Sequence, residues 1–365
     1  MTTVSEVKHF SSTFSNKTTE LSTEESLSSS NHSGIAMQAV FGGIALLSFL
    51  GNFLFCVVLL RKRYLLKKPY NILLLVLAVT DMLTGAVVMI TPGFIVPVNK
   101  FPYSRGTAGL LFCHLIDTRF LIFVMGKASV LLVMCLAIER WFASVKPLEY
   151  RIRFTSKRLA VYIISIWIST CVFQLYRLFR KIPGEDGCQW AKNSFGPRSL
   201  KALIISYVFV TFILPNIITW ASFLHIWLSV RKSPAMNTAS GNQARSRLLR
   251  MCVLTALFLT LCWFPDQLNY VLSLFDVTSL ASPISDYFLV LALSNSCVNP
   301  LIYCFTNKAF RKEFRSLFTF RVFSRSGFCL PLKKSAYCLK DMKGTEDFKV
   351  TFDNPVELSQ YKLYI

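Results

Sequence analysis

Seven long apolar stretches limit what this chain can become. They lie at about 36–60, 70–93, 109–136, 159–179, 202–230, 249–275 and 284–305, each close to the ~20 residues that cross a bilayer as a helix. In lipid, every backbone polar group must be satisfied within its own segment or in a closed barrel, so apolar stretches of this length read as helices. The expected fold is an all-α, seven-helix membrane bundle. Hydrophobic residues make up 53% of the chain and charged ones only 16%, a balance that excludes an ordinary soluble domain.

Charge orients the bundle. Of 40 Lys and Arg, 28 fall in Arg61–Lys68, Arg140–Arg158, Arg231–Arg250 and the tail after Thr306. Positive residues accumulate on the cytoplasmic side, which places the N-terminus outside and the C-terminus inside a plasma-membrane protein. Solvated inner loops beside anionic lipid account for the net charge of +21, and no nucleic-acid partner is needed. Residues 1–35 form a polar outer tail without the apolar core of a cleaved signal peptide. Its triplets at Asn16 and Asn31 are acceptor sequences for N-glycans.

Most of the 11 cysteines lie in apolar spans, where a thiol packs as a small hydrophobe. Cys113 and Cys188 differ, because both fall on the oxidising side, at the outer end of span three and in the loop between spans four and five. A bridge between them would pin that loop over the bundle mouth as a lid. Two free thiols are the other reading.

Polar residues inside spans are costly, so they mark function or a specific hydrogen-bond network. Asn52, Asp81, Ser129, Trp263, Asn295, Ser296 and Asn299 would lie at similar depths in a compact ring. One carboxylate among oxygen donors suits a proton or a hard cation such as sodium, and equally a purely structural network. At the end of span seven, Asn299 and Pro300 form a deformable joint. The proline frees a backbone carbonyl, and the adjacent amide is placed to satisfy it. At the inner end of span three, Glu139 and Arg140 form an electrostatic latch, with Leu148 as an exposed knob for a cytoplasmic partner.

Taken together these residues resemble a rhodopsin-like, class A G protein-coupled receptor from about residue 36 to 318. The resemblance rests on Gly51-Asn52, Leu77-Ala78-Val79-Thr80-Asp81, Cys113 with Cys188, Glu139-Arg140-Trp141, Trp167, Pro215, Cys262-Trp263-Phe264-Pro265 and Asn299-Pro300-Leu301-Ile302-Tyr303, in family order. It implies that Arg140 contacts a heterotrimeric G protein and that Trp263 senses ligand at the pocket floor. It also implies that Asp81, Ser129, Asn295 and Asn299 form a sodium site, and that Tyr303 swings inward as span six tilts about Pro265. Phe310 would open an amphipathic membrane-surface helix over 307–320.

The chain departs from the family at several positions. Glu139 and Trp141 stand where Asp and Tyr are usual, Phe223 replaces a tyrosine of span five, and Leu259 a phenylalanine of span six. Arg245 replaces an acid, which disfavours an ionic lock between helices. Cys113 lies two residues farther from Arg140 than is usual, so the outer end of span three must be shifted or locally overwound.

The ligand is approached by exclusion. No acid occupies Phe120–Phe123, where amine receptors of the family carry one, and Leu293 occupies the position of an opsin's retinal lysine. What remains is a mouth with Asp117, Arg119, Gln174, Asp266, Gln267, Asn269 and Tyr270, dispersed hydrogen-bonding groups of the kind a peptide uses. A small non-amine ligand is the alternative. Lys127 lies deep in span three, where Asp266 would neutralise it as an internal salt bridge or join it in gripping a zwitterion; snorkelling is the third option.

The tail over 321–365 lacks periodicity and reads as disordered. It offers Ser324, Ser326, Ser335, Thr345, Thr351 and Ser359 for phosphorylation and arrestin-type partners, and Cys329 and Cys338 for acylation. Leu363-Tyr364-Ile365 resembles a strand for a PDZ edge. A transporter would show internal repeats, and an enzyme a nucleophile, base or metal set; the sequence offers neither.

Overall fold

The computed structural model describes residues 34–97, 106–184, 187–190, 197–232, 239–280, 282–306, 310–315, 329–332 and 335–338. Seven helices in it are long and apolar enough to cross a membrane: Gly34–Arg61, Pro69–Ile90, Gly106–Val145, Ser156–Leu178, Lys201–Arg231, Ser246–Phe275 and Pro283–Thr306. They are spans one to seven below. The boundaries match the sequence expectation within a few residues except in span three, whose helix runs on to Val145 and carries Glu139, Arg140 and Trp141 in its last turns. Polar side chains facing the bundle do not end a helix.

Local chemistry sets the helix ends. Pro69 and Pro147 open their helices at the first turn, where no N–H is needed. Thr155 caps span four, its hydroxyl accepting from the Arg158 amide at 3.5 Å. Two spans are locally unwound. In span three, Phe112–Asp117 form a π-turn, with the Thr118 amide bonded to the Cys113 carbonyl at 3.2 Å, and Arg119 then adopts a left-handed φ of 58° before the helix resumes at Phe120. Of the two readings the sequence left, a shifted outer end or local overwinding, overwinding is corrected: the helix is widened here. A π-turn fits more residues into each turn and keeps the faces above and below it in register. In span five, Phe209–Ile213 form a second π-turn ahead of Pro215, which has no N–H to continue the ladder.

Span three is the hub, packing against spans two, four, five and six; 72% of its most apolar 18-residue stretch is buried, against 22% in span four. Its core-facing side carries Ile122, Ala128, Val130, Leu132, Val133 and Leu136. The converse holds for Leu46, Leu50, Phe53, Ile164, Ile168, Val172, Leu224 and Trp227, large apolar side chains exposed on the outside of the helices. A lipid-facing surface looks like this, since lipid tails are as apolar as the side chains. At one end Phe41, Ala45, Val87, Val88, Phe94, Ile122, Leu289 and Leu293 join spans one, two, three and seven into one cluster. Spans one and two touch closely at Gly85, where a Cβ would come within 2.6 Å of the Ala45 carbonyl oxygen.

The chain divides into two units, Met1–Phe314 and Arg315–Ile365. In the first, residues 310–314 are helical; of the stretch expected to form the surface helix, 307–309 and 316–320 lie outside the described residues. In the second, Cys329–Leu332 pair antiparallel with Ser335–Cys338. Backbone pairing of this kind needs only a short local segment and leaves no long-range periodicity to read in the sequence. Asn16, Asn31, Ser324, Ser326, Thr345, Thr351, Ser359 and the C-terminal tripeptide also lie outside the described residues.

Candidate functional site

The polar side chains converge on the bundle axis at three levels. At the first, the loop between spans four and five lies across the end of span three. Lys181–Pro183 pair with Cys188–Trp190 in a small hairpin. Cys113 and Cys188 are disulfide-bonded with their Cα atoms 5.5 Å apart, as the bridged reading required. Lys181 forms an ion pair with Asp117 at 2.5 Å, and a His114 ring nitrogen meets the Leu178 carbonyl. Two ties therefore hold the loop and a third holds the end of span four, and the π-turn is what presents Cys113, His114 and Asp117 to them.

Below this loop lies a network from spans three, four, five and six. The Lys127 ammonium donates to Gln267 Oε1 at 2.6 Å, and Gln267 Nε2 donates to Asp266 Oδ2 at 2.8 Å. The direct Lys127–Asp266 salt bridge weighed from sequence is therefore replaced by a relay through an amide. Gln174 donates to the Tyr207 hydroxyl at 2.7 Å and accepts from Arg177 Nε at 2.9 Å. Tyr270 and Tyr176 share a hydroxyl contact of 3.1 Å. Trp263 forms the floor, buried, with its ring 6.5 Å from that of Phe123 and 5.7 Å from the Lys127 ammonium. Gly126 makes this possible, since a Cβ there would come within 2.3 Å of the indole. Arg119 is brought elsewhere: its left-handed backbone sends the guanidinium over the Phe94 ring, 4.6 Å from the centroid.

The middle level centres on Asp81, which is fully buried. Its carboxylate accepts from Ser296 at 2.8 Å, Asn299 Nδ2 at 2.7 Å and, more loosely, Ser129 at 3.4 Å. Among the described residues the side-chain oxygens of Asn295 and Asn299 have no hydrogen-bond partner, nor does the side-chain nitrogen of Asn295. Buried polar atoms left unpaired are expensive, so this donor set fits a small hard cation held by one carboxylate and neutral oxygens. Asn52 donates to the carbonyls of Ser48 at 2.9 Å and Ser296 at 2.8 Å, and Ser48 donates to the Asp81 carbonyl at 2.7 Å. Spans one, two and seven are thus tied at one depth. Pro300 has no amide for the Ser296 carbonyl, and Asn52 takes its place. The sequence expectation gave that task to Asn299; the structure corrects it, because Asn299 turns its amide to Asp81.

At the third level Arg140 donates through Nε and Nη2 to both carboxylate oxygens of Glu139. Glu139 is fully buried and also accepts from the Tyr150 hydroxyl at 2.7 Å. Burial and the adjacent carboxylate push the Tyr150 phenol above its usual range. Arg140 lies over the Tyr70 ring at 4.4 Å. Trp141, where the family has tyrosine, donates from its indole to His225 Nδ1 at 2.8 Å and so joins spans three and five. Tyr303 is buried against Phe55, ring centroids 4.5 Å apart, and Phe55 meets Phe310 at 5.1 Å. Leu148 stands 82% exposed on the short helix Pro147–Arg153. Arg245 lies in a helical segment whose side chains are not described.

A sequence model of the seven-transmembrane receptors of the rhodopsin family matches residues 51–303, a stretch containing all three levels. The chain belongs to that family. This receptor is 25% identical to galanin receptor 2a of Danio rerio over 298 residues, 78% of each chain. It is 29% identical to somatostatin receptor type 4 of Rattus norvegicus over 304 residues, 79% of this chain and 73% of the relative. A rat histamine H2 receptor is 24% identical over 294 residues, 78% and 79%. The receptor is a multi-pass membrane protein and not an enzyme, with relatives that include peptide receptors.

Sequence reasoning missed four residues that complete these hydrogen-bond networks: Arg177, Tyr207, Tyr150 and His225. A lone charge or ring in an apolar stretch gives no sign of which way its helix face turns. The one available hint was Arg177 three residues after Gln174, a spacing that puts both on one helical face.

Proposed function

We propose that the chain is a cell-surface receptor for an extracellular peptide, activating a heterotrimeric G protein when span six tilts outward around Pro265. The N-terminus would be extracellular, so the disulfide-tied loop roofs the ligand site. The observation that carries this reading is the set of three buried polar networks along the bundle: Lys127 and Gln267 over Trp263, Asp81 with Asn299, and the Glu139–Arg140 latch. If these networks have a second arrangement, a ligand that binds it more tightly shifts the population toward it. In the arrangement described, Arg140 is held by Glu139 and Tyr303 lies against Phe55, which is the resting one. Release would free Arg140 for the G protein and let Tyr303 move inward, with exposed Leu148 as a docking knob.

Several features support a peptide. The galanin and somatostatin receptors among the relatives are named for peptides, and the site has hydrogen-bonding groups on four spans with no acid on the face of span three that lies over Trp263. A sodium ion at Asp81, Ser129, Asn295 and Asn299 would favour the resting state and, by linkage, lower agonist affinity. A phosphorylated tail would recruit an arrestin-type protein, and glycans at Asn16 and Asn31 would fit an outer N-terminus.

The test is nucleotide exchange on a purified heterotrimeric G protein by the receptor in lipid nanodiscs, challenged with a peptide library. Peptide-dependent exchange supports the reading. Solute or ion flux in liposomes without exchange would replace it with a transporter.

A further inference from the structure

We propose that Lys127 and Arg177 form an anion site that takes a single carboxylate carried on an aromatic or apolar part of the ligand. This rests on the ligand site proposed above and adds the chemistry that the site selects.

Both cations are buried, Lys127 1% and Arg177 8% exposed. Among the described residues neither forms an ion pair. The nearby acids are otherwise engaged. Asp117 is held by Lys181, and Asp266 reaches Lys127 only through Gln267, whose carbonyl and amide are both used in the relay. An ammonium carries three N–H donors, and Lys127 spends one of them on Gln267. Arg177 spends Nε on Gln174, and its two Nη groups have no hydrogen-bond partner among the described residues.

Rings surround both charges. The Arg177 guanidinium lies 3.6 Å over Phe123, 5.5 Å from Tyr176 and 5.9 Å from Tyr270. Lys127 lies 5.3 Å from Tyr207, 5.5 Å from Phe212 and 5.7 Å from Trp263. Cation–π contact offsets part of the cost of burying these charges, but it leaves the N–H donors unpaired. Phe123 and Lys127 are four residues apart on one helical face, so Arg177, stacked on Phe123, stands one turn above Lys127 on the same wall. Tyr207 closes the other side, tied to Arg177 through Gln174.

Charge counting selects the ligand class. Three cations, Lys127, Arg177 and Arg119, stand against two acids, Asp266 and Asp286, with Asp117–Lys181 a neutral pair beside them, an excess of one positive charge. A carboxylate cancels that excess, with Arg177 as fork and Lys127 as point charge. A phosphate dianion would overshoot it, and an ammonium would add to it. The surrounding rings suit an aromatic or aliphatic body next to the carboxylate. A peptide's free C-terminus and a small aryl acid share this chemistry.

The experiment uses the full chain in nanodiscs. Two peptide pools ending in Phe or Trp, identical except for a free carboxylate or a terminal amide, are compared with 3-phenylpropionate and its amide at millimolar concentration. The thermal unfolding midpoint reads binding without a G protein. The free acids are expected to raise the midpoint and the amides are not, with Lys127→Gln and Arg177→Gln each weakening the response at least tenfold. A shift by peptide acids alone assigns the carboxylate to a peptide end; a shift by 3-phenylpropionate as well shows that the acid and ring suffice. Equal shifts by amides and acids, no shift by any acid, or full retention of the shift in both variants would overturn the proposal. Nucleotide exchange driven by amidated peptides would keep the peptide reading and reject this one. Exchange driven by the small acid alone would do the opposite.

Discussion

Asn52 donates a hydrogen bond of 2.8 Å to the Ser296 carbonyl, the group that Pro300 leaves without an amide one turn later. A break in span seven is thereby satisfied from span one, so the deformable joint is held by a neighbouring helix and not by its own side chains. The joint yields only when two helices shift relative to one another, a constraint that suits a two-state element.

Replacing Asn52 with Ala should strand the Ser296 carbonyl in the core. Losing one partner of a buried pair costs about 1–3 kcal/mol, so the thermal unfolding midpoint of the receptor in nanodiscs should fall. An unchanged midpoint would mean that another group already serves the carbonyl.

Asp81→Asn should remove the effect of sodium on agonist affinity. The measurement is agonist competition in sodium chloride against the same concentration of N-methylglucamine chloride, with the wild type losing affinity in sodium. A variant that responds to sodium as the wild type does would take the cation away from this cluster.

Tyr150→Phe should loosen the latch while sparing ligand binding. Its hydroxyl bonds a buried carboxylate, a contact of about 1.5 kcal/mol or more, and ~1.4 kcal/mol is a tenfold change in an equilibrium. Basal nucleotide exchange should therefore rise up to about tenfold, whereas Arg140→Ala should abolish exchange and leave ligand affinity intact. Normal coupling by the Arg140 variant would refute its role.

Gly126→Ala should displace the Trp263 indole, because its Cβ would sit 2.3 Å from the ring. Overpacking of this kind costs about 1–3 kcal/mol. A lower unfolding midpoint together with a shift in tryptophan emission is the expected pair of results, and neither occurring would mean that the ring has room to spare.

The disulfide, the Asp81 cluster and the Glu139–Arg140 latch were all legible in the sequence, because each belongs to a residue type whose cost in lipid demands a reason. The partners were less so. That Lys127 reaches Asp266 through Gln267, that Tyr150 rather than a residue of span six completes the latch, and that Trp141 finds His225 all depend on helix rotations that hydropathy does not encode. The spacing of Cys113 announced an irregularity in span three, but that the helix widens over Phe112–Asp117 was visible only in the structure.

The sequence by itself determined that seven helices cross a bilayer and which polar residues lie within them, since burying a charge or an unpaired amide in hydrocarbon is costly wherever it falls in the fold. Only the tertiary structure decided which of those groups share a partner. Hydrogen bonds and ion pairs act over about 3 Å, and a turn of one helix by a single residue, about 100°, carries a side chain from one neighbour to another.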